Sequence, residues 1–350
     1  MKNGDHLNDA CPGSKSLIST RAASMSSFLF CHMIRVLQLF VLITMLASAS
    51  AQIPEVNQEQ VDQIIDLAWD MGEAWQRGEL PDLAFTPEEF QLLASQLETA
   101  LASNQLDDLA SLEAAIPRLI AALSQTESGR QYVAQLLQRY DYAVVANWSR
   151  QEAQERASQS PEQRPDPESV EQFRNEYVTD LRVWKHRISE RRAPQPGPGI
   201  LPLVQGRFSE NGVPTELVWL AEVESSFDPQ AISPVGAKGL FQFMPKTAEW
   251  MGLDLNPDDE RTDPSKSAFA AAKYLRYLYG RFESWPLVLA AYNAGEGRVR
   301  RLMKEQQASD FNGIAAALPS ETRMYVPKVL ATIELREGID PSQIGPPISD

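Results

Sequence analysis

A glutamate on an apolar helical face is the feature that most constrains this 350-residue chain. Leu217, Leu220, Ala221 and Glu224 follow the i, i+3, i+4, i+7 spacing of one side of a helix. A buried carboxylate without a partner is costly, so such a group keeps its proton to higher pH. The spacing therefore predicts that Glu224 is tuned as a general acid near neutral pH, while Glu222 stays solvated. A core glutamate held by an arginine or a backbone amide is the alternative.

A turn-rich segment follows this helix. Asp228 and Pro229 are expected to end the helix, because the residue before a proline is pushed out of the α region. The next turn carries two glycines three positions apart, and Gly239 is one that would let the backbone approach a ligand closely. Gln242 offers a donor and an acceptor, which suits neutral hydroxyl and acetamido groups better than phosphates. The glycines are not followed by Lys-Ser or Lys-Thr, which argues against a phosphate-binding P-loop.

Four motifs in this order resemble those of one family. They are Glu224-Ser-x-Phe-Asp-Pro, Ser233-Pro-x-Gly-Ala-x-Gly-Leu-x-Gln242-x-Met-Pro, Ala291-Tyr-Asn-Ala-Gly295 and Leu318-Pro-Ser-Glu-Thr-Arg-Met-Tyr-Val-Pro-Lys328. Their conjunction is similar to the soluble lytic transglycosylase domain, which is related to goose-type lysozyme. The last motif has the form seen in the D-type membrane-bound lytic transglycosylases. The resemblance covers roughly residues 200–338 and says nothing about the first half of the chain.

The resemblance implies an activity and a set of site residues. It implies cleavage of the β-1,4 bond between N-acetylmuramic acid and N-acetylglucosamine in peptidoglycan, with a 1,6-anhydromuramyl product and with Glu224 as acid and then base. It also implies substrate contacts at Ser233, Gly239, Gln242, Tyr292, Asn293 and Tyr325, of which Tyr325 would orient the acid. Tyr292 and Asn293 also read as ordinary helix terminators. Pro327 fits the first turn of a helix that starts near Tyr325.

A second catalytic carboxylate has two candidates in the sequence. Asp228 lies in the turn after Glu224, where its Asp-Pro context explains it as a helix terminator. Asp263, before Pro264, is better explained as an N-cap of the helix that follows. Ordinary glycosidases use two carboxyl groups, whereas a single acid can donate a proton and then take one back. The sequence therefore favours a mechanism with one catalytic acid.

Composition excludes several other classes. The net charge of −15 and the lack of a basic stripe disfavour binding of nucleic acid. His6, His32 and His186 have no partners at metal-ligand spacing, so no metal site is expected, and the proposed chemistry needs no cofactor. Cys11 and Cys31 precede the domains, so no disulfide is expected to staple the folded part.

The sequence predicts an all-α protein in four parts. Residues 1–51 contain an apolar run from Met33 that ends in Ala-Ser-Ala51, typical of a secretory signal, with Gln52 as the first mature residue and an uncleaved anchor as the alternative. Residues 52–193 read as a helical region of unassigned role, in which Thr86 and Pro87 begin one helix. Residues 194–338 form the lysozyme-like catalytic domain, and residues 339–350 a flexible tail.

Further expectations concern the segments that connect the helical parts of the chain. Residues 149–167 are polar and read as a linker, and one long charged helix is expected from Pro167 to about Arg192. The run from Pro194 to Gly199 breaks that helix and marks the domain boundary. The helix before the break is expected either to pack on the catalytic domain or to hold it at a distance.

Three functions fit the sequence. The first is a periplasmic lytic transglycosylase acting on peptidoglycan glycan strands, and the second is a lysozyme-like hydrolase on the same fold. The third is a non-catalytic cell-wall scaffold with a vestigial cleft, against which the intact Glu224, Gln242, Tyr292 and Tyr325 argue. Cell-wall protein partners of the N-terminal helical region are a further expectation.

Overall fold

The computed structural model describes residues 87–125, 127–159, 166–233 and 236–348. Fourteen α-helices occur in these ranges, joined by turns and three short 3-10 helices. The first six are α1 (Pro87–Ala102), α2 (Leu106–Ser111), α3 (Ile116–Ser124), α4 (Glu127–Gln159), α5 (Pro167–Thr179) and α6 (Leu181–Ser189). The other eight are α7 (Ile200–Glu210), α8 (Leu220–Ser225), α9 (Pro245–Met251), α10 (Pro264–Phe282), α11 (Trp285–Ala294), α12 (Glu296–Glu305), α13 (Asn312–Ala315) and α14 (Ser320–Glu337).

The predicted all-α class is confirmed for the described residues. Their only β-like feature is a pair of isolated bridges, which join Ile232, Lys238 and Phe243. None of the described helices combines the length and the apolar character that crossing a membrane requires. The predicted signal segment of residues 33–51 and the Thr86 cap lie outside the described residues.

Helix α14 lies at the centre of the molecule. Its buried residues occur on all sides, so it has no solvent-facing stripe along most of its length. Helices α1, α4, α5 and α6 of the first half pack on it, and so do α8 and α11 of the second half. Of the two arrangements expected for α6, the structure has the packed one, with Trp184 and Ile188 buried in the core that the two halves share.

Two joints differ from the sequence prediction. Helix α4 continues to Gln159, so residues 149–159 are helix rather than linker, because a polar stretch rich in Gln, Glu, Arg and Ala still has high helix propensity. The single helix expected from Pro167 to Arg192 is two helices. Asp180 separates them in an extended conformation, and its carboxylate accepts from the backbone N–H of Arg182 as an N-cap.

Several helix boundaries agree with the prediction. The carboxylate of Asp263 accepts from the backbone N–H groups of Ser265 and Lys266 and begins α10. The Pro194–Gly199 segment is free of helix, and α7 starts directly after it.

The expected flexible tail is not observed over residues 339–348. The indole N–H of Trp285 donates to the carbonyl of Gly345 at 2.9 Å, and the N–H of Ile348 donates to the carbonyl of Gly212 at 2.8 Å. The proline and glycine content that suggested fraying instead permits the turns that bring this segment back onto the helices.

Candidate active site

Glu224 lies in the last turn of a short helix that is buried on its predicted face. A 3-10 helix, Thr215–Trp219, leads directly into α8, and Leu217, Leu220 and Ala221 are fully buried as the spacing predicts. Helix α8 packs against α4 and α14, which come from the first and the second half of the chain. The apolar stripe therefore fixes where the carboxyl group of Glu224 points.

The helix ends earlier than the Asp228-Pro229 pair. Ser226 and Phe227 both adopt left-handed conformations, with φ of 54° and 63°, and the N–H of Phe227 donates to the carbonyl of Ala221 at 3.1 Å. Asp228 is exposed, and its carboxylate accepts from the N–H of Gln230 at 2.8 Å. Asp228 is thus a turn residue, and the helix ends through the backbone conformation of the two residues before it.

Glu224 is a partly buried carboxyl group with one close hydroxyl partner. The Tyr325 hydroxyl donates to its Oε1 at 2.5 Å. Burial raises the pKa of Glu224 to about 8, because the ionised form loses its hydration. The Tyr325 hydrogen bond and the Lys328 charge act in the opposite direction, and the Glu321 charge adds to the rise. At pH 7 the group is therefore predominantly protonated, as an acid catalyst must be.

Glu222 is not solvated, which corrects the prediction. Its side chain is 2 % exposed, and it accepts from Nε and a terminal nitrogen of Arg336 at 2.8 and 2.6 Å. The helical wheel separates Glu222 from Glu224 correctly, but α4 and α14 cover both sides of the helix. The core glutamate held by an arginine therefore exists, and it is Glu222.

The loop from Ile232 to Phe243 lies beside Glu224 and is held there by α8 and α11. The Ser225 hydroxyl donates to the carbonyl of Leu240 at 2.9 Å, and the Tyr292 hydroxyl donates to the carbonyl of Phe241 at 2.8 Å. Arg261 holds the other side of the loop, since its guanidinium donates to the carbonyls of Gly236 and Phe243 at 2.7 and 3.0 Å. Nothing in the sequence pattern pointed to Arg261.

Three predicted sugar contacts lie in this loop and also hold its shape. Ser233 is buried, and its Oγ accepts from the N–H of Ala237 at 2.8 Å. Gly239 has φ of +82°, and a Cβ there would lie 1.8 Å from the carbonyl oxygen of Arg261. The structure therefore shows a close approach at Gly239 to another backbone segment, that of Arg261.

Gln242 is the third of these loop residues. Its amide nitrogen donates to the carbonyls of Ala231 and Gly239 at 3.1 and 2.9 Å, so its donor end is engaged inside the loop. Its backbone is left-handed, with φ of 47°. The neighbouring Phe243 is 2 % exposed and is a packing residue, as expected.

Substitution of Gly239 by alanine is expected to lower the free energy of unfolding by about 2–4 kcal/mol, because the left-handed backbone and the contact with Arg261 both oppose a Cβ. Chemical denaturation measures the change. Gly280→Ala is the matched control, because Gly280 is exposed in α10 with open space around it and should gain up to about 1 kcal/mol. Equal effects at the two glycines would contradict this account of the loop.

Helices α11 and α14 bring the remaining predicted residues together. The Asn293 Oδ1 accepts from the Thr322 hydroxyl at 2.6 Å, which joins the end of α11 to the start of α14. Burial raises the pKa of Tyr292, and the charge of Glu224 contributes to the rise. Tyr325 contacts Glu224 directly, whereas Tyr292 contacts the loop through the carbonyl of Phe241.

The helix carrying Tyr325 starts earlier than predicted. It begins at Ser320, so Pro327 lies in its interior instead of its first turn. Tyr325 is nevertheless 3 % exposed and points at Glu224. The contact with Glu224 survives because the whole of α14 is fixed by packing from both halves of the chain.

Sequence reasoning missed four residues around the acid. Glu321 and Lys328 lie one turn before and one turn after Tyr325, and both act on the pKa of Glu224. Glu321, Tyr325 and Lys328 follow i, i+4, i+7, a spacing that indicates one face of a helix and that the sequence already shows. Gln138 and Asp141 come from α4 and contact Lys328, and no local pattern indicates them.

The chain is similar to known lytic transglycosylases. Residues 206–314 match the transglycosylase SLT domain family. The membrane-bound lytic murein transglycosylase D of Escherichia coli K12 is 33 % identical over 177 residues, which is 49 % of this chain and 37 % of that protein. The membrane-bound lytic murein transglycosylase F 2 of Alkalilimnicola ehrlichii is 31 % identical over 56 % of this chain and 48 % of its own length.

Two further proteins align either over a smaller share of the chain or at a lower identity. The soluble lytic murein transglycosylase of Salmonella typhimurium is 38 % identical over 32 % of this chain and 19 % of its own length. The solved structure of the lytic transglycosylase Slt of Pseudomonas aeruginosa aligns with 99 % of this chain and 78 % of its own, at 15 % identity and a TM-score of 0.37, a likeness that carries no structural argument.

The predicted resemblance to the lytic transglycosylases is confirmed by the family match and by these named relatives. The chain spans less than half the length of each of the three curated relatives.

Proposed function

We propose that this protein is a peptidoglycan lytic transglycosylase in which Glu224 is the single catalytic acid. The observation that carries the proposal is the setting of Glu224, a partly buried carboxyl group with a pKa raised to about 8 and the Tyr325 hydroxyl 2.5 Å from its Oε1. A carboxylic acid that is protonated at neutral pH and oriented by a fixed hydroxyl is a general acid. The family match supplies the substrate class.

The reaction proceeds in two proton transfers. Glu224 first gives its proton to the glycosidic oxygen as the bond from that oxygen to C1 of the muramic acid residue breaks, leaving an oxocarbenium-like centre. The resulting carboxylate then takes the proton of the same residue's 6-hydroxyl while the 6-oxygen bonds to C1. Glu224 ends protonated, no water is consumed, and the product is a 1,6-anhydromuramyl end. The intramolecular nucleophile adds proximity, worth up to about 7–11 kcal/mol in favourable cases.

The other site residues shape and line the cleft in this proposal. Tyr325 orients the acid and supports the carboxylate between the two steps. Tyr292, Asn293 and Gln242 contact the sugars, and Ser233 and Gly239 act through the shape of the loop that carries Gln242. Asp228 has no catalytic part, since it is exposed in a turn.

The proposed place of action is the periplasm, where peptidoglycan strands lie. The support is the signal-like segment that ends at Ala51 and the names of the relatives, which are membrane-bound and soluble murein transglycosylases.

Substitution of Tyr325 by phenylalanine is expected to lower the rate at least ~10-fold and to move the alkaline limb of the pH–rate profile upward by about one unit. The hydroxyl lowers the pKa of Glu224, so its removal raises that pKa and keeps the acid protonated to higher pH. Tyr279→Phe is the control, because the Tyr279 ring packs on Trp285 at 4.5 Å, on α10 and away from the acid. An unshifted alkaline limb would show that Tyr325 does not act on Glu224.

Digestion of purified sacculi followed by mass spectrometry of the soluble muropeptides tests the proposed function. The proposal predicts anhydro ends, each lighter by one water than the hydrolysed product, from the wild type and not from Glu224→Gln. Products that carry the extra water would identify a lysozyme-like hydrolase instead. Release of no muropeptides by the folded wild type would favour the non-catalytic scaffold.

A further inference from the structure

A lysine is completely buried beneath the proposed acid. The Lys328 side chain is 0 % exposed, and its Nζ lies 2.8 Å from Oδ2 of Asp141, which is 1 % exposed. The same nitrogen donates to the backbone carbonyl of Gln138 at 3.3 Å and to the Gln138 side-chain Oε1. Gln138 and Asp141 belong to α4, so the first half of the chain supplies every one of these contacts. We call Gln138, Asp141 and Lys328 the buried cluster.

The buried cluster reaches both sides of Glu224. The amide nitrogen of Gln138 donates to the carbonyl of Glu222 at 3.2 Å and to the hydroxyl of Ser226 at 3.4 Å. These two acceptors lie two residues before and two residues after Glu224 along the chain. Gln138 therefore spans the turn that carries the acid, and its Oε1 is in turn fixed by Lys328.

The charges around Lys328 lie on α4 and on the stretch formed by α6 and the residues after it. On α4, Asp141 is the compensating anion, and the Tyr142 ring lies 4.9 Å from Nζ. From α6 and the residue stretch after it, Arg187 and Arg191 also pair with Asp141, at 3.0 and 2.8 Å. Burial lowers the pKa of Lys328 to about 8, although Asp141 acts to raise it, so the lysine is predominantly charged at pH 7.

The charges around Glu224 lie on the neighbouring helices. Glu321 and Lys328 lie on α14, on either side of Tyr325, and they act on Glu224 with opposite signs. Burial raises the pKa of Tyr142 on α4 and of Tyr292 on α11, and the Glu224 charge contributes to both rises, so both tyrosines are neutral. Lys328 is therefore the cation that opposes the rise in the pKa of Glu224.

We infer that helix α4 of the N-terminal helical region is a built-in part of the catalytic centre, in which Gln138 and Lys328, bonded to each other, are positioning residues for Glu224 and Asp141 is the counter-ion of Lys328. The inference rests on the proposed function, because it assigns these residues a part in the same reaction. It gives the first half of the chain a role that its sequence did not indicate. Gln138 holds the turn that aims the acid, and Lys328 holds Gln138 and limits how far the acid's affinity for protons rises.

The energetics favour a functional reason for this arrangement. A buried ion pair is weak evidence for stability, since well-packed apolar residues in its place are often neutral or stabilising. Gln138 joins the cluster to the turn of the acid, through the backbone carbonyl of Glu222 and the hydroxyl of Ser226. A displacement of a catalytic group by about 1 Å can lower the rate roughly 100-fold. Loss of a hydrogen bond that fixes the turn of the acid can therefore lower the rate strongly.

The test uses the full chain and steady-state kinetics on glycan strands across pH. Gln138→Met keeps the volume and loses the amide, and we expect kcat to fall by ~10-fold or more with KM little changed. Gln151→Met is the matched control, because Gln151 lies on the same helix with an exposed side chain, and it should keep the wild-type kcat. Lys328→Met is expected to move the alkaline limb of the kcat profile to higher pH, because the cation that lowers the acid's pKa is gone. Lys328→Arg, which keeps the charge, should return the limb toward the wild-type position.

The outcomes separate this inference from the proposed function. If Gln138→Met and Lys328→Met keep the wild-type kcat and alkaline limb while Glu224→Gln is inactive, the inference is overturned and the proposed function stands. The inference is also overturned if each variant loses kcat only in proportion to its loss of folded protein and Lys328→Met keeps the wild-type alkaline limb. The cluster would then be only structural. Where Lys328→Met does not fold, Gln138→Met carries the test, because it removes the three hydrogen bonds of the Gln138 side chain and no charge. Full activity of Glu224→Gln would instead remove the proposed function.

Discussion

Glu224→Gln is expected to lower the rate of muropeptide release by about 10²–10⁴-fold, the range that general acid–base catalysis contributes. Glutamine has nearly the same shape and can still accept from the Tyr325 hydroxyl, but it has no proton to give to the glycosidic oxygen. The rate is measured on purified sacculi under conditions where the wild type is linear with time. Activity within a few-fold of wild type would rule out Glu224 as the acid.

The same variant is also expected to change how the stability of the protein depends on pH. The pKa of Glu224 is raised from 4.5 to about 8 in the folded protein, so the folded state holds the proton more tightly than the unfolded state. Its contribution to stability is fully present below about pH 4.5 and is lost as the pH rises through about 8. Because glutamine does not ionise, Glu224→Gln should gain stability relative to the wild type as the pH rises from 4 to 9. If the stability of the variant relative to the wild type does not increase between pH 4 and pH 9, the pKa of Glu224 is not raised in the folded protein.

Asp141→Ala is expected to lower the free energy of unfolding by about 3–5 kcal/mol, the second large effect. Asp141 is 1 % exposed and pairs with Lys328, Arg187 and Arg191, and its removal leaves the fully buried Lys328 without an anion. Arg187 and Arg191 are partly exposed and can be solvated, so most of the lost stability comes from the unpaired charge of Lys328. Urea denaturation at pH 7 measures the change.

Glu152→Ala on the same helix is the matched control for Asp141→Ala. Glu152 pairs with Arg156 at 3.2 Å, but the two side chains are 41 % and 59 % exposed. Exposed pairs at i, i+4 contribute only about 0.3–0.5 kcal/mol, so this variant should stay close to wild type. If Asp141→Ala and Glu152→Ala lower the free energy of unfolding by the same amount, the buried cluster does not hold the two halves of the chain together.

Local signals predicted much of the helical architecture. Asp263 with Pro264 begins a helix where capping and proline placement predict one. The apolar face of α8 placed Glu224 in a largely enclosed setting. Such features act within a turn or two of the chain, so one sequence is enough to read them.

Features that depend on distant packing were beyond the sequence. The helical wheel gave Glu222 a direction, but it could not say that Arg336 and two helices lie there. Gln138 and Lys328 are 190 positions apart, and nothing near either residue indicates the other. Gly239 was correctly marked as a place of close approach, but the approaching group is the backbone of Arg261.

The central claim is that Glu224 is an uncharged acid at neutral pH, and carbon-13 NMR tests it most directly. Protein labelled at the glutamate side-chain carboxyl carbon is titrated, and the Glu224 signal is assigned by its absence from Glu224→Gln. The account predicts a titration midpoint at about 8. A midpoint near the ordinary value of 4.5 would mean that Glu224 is ionised at neutral pH, and it would contradict the account.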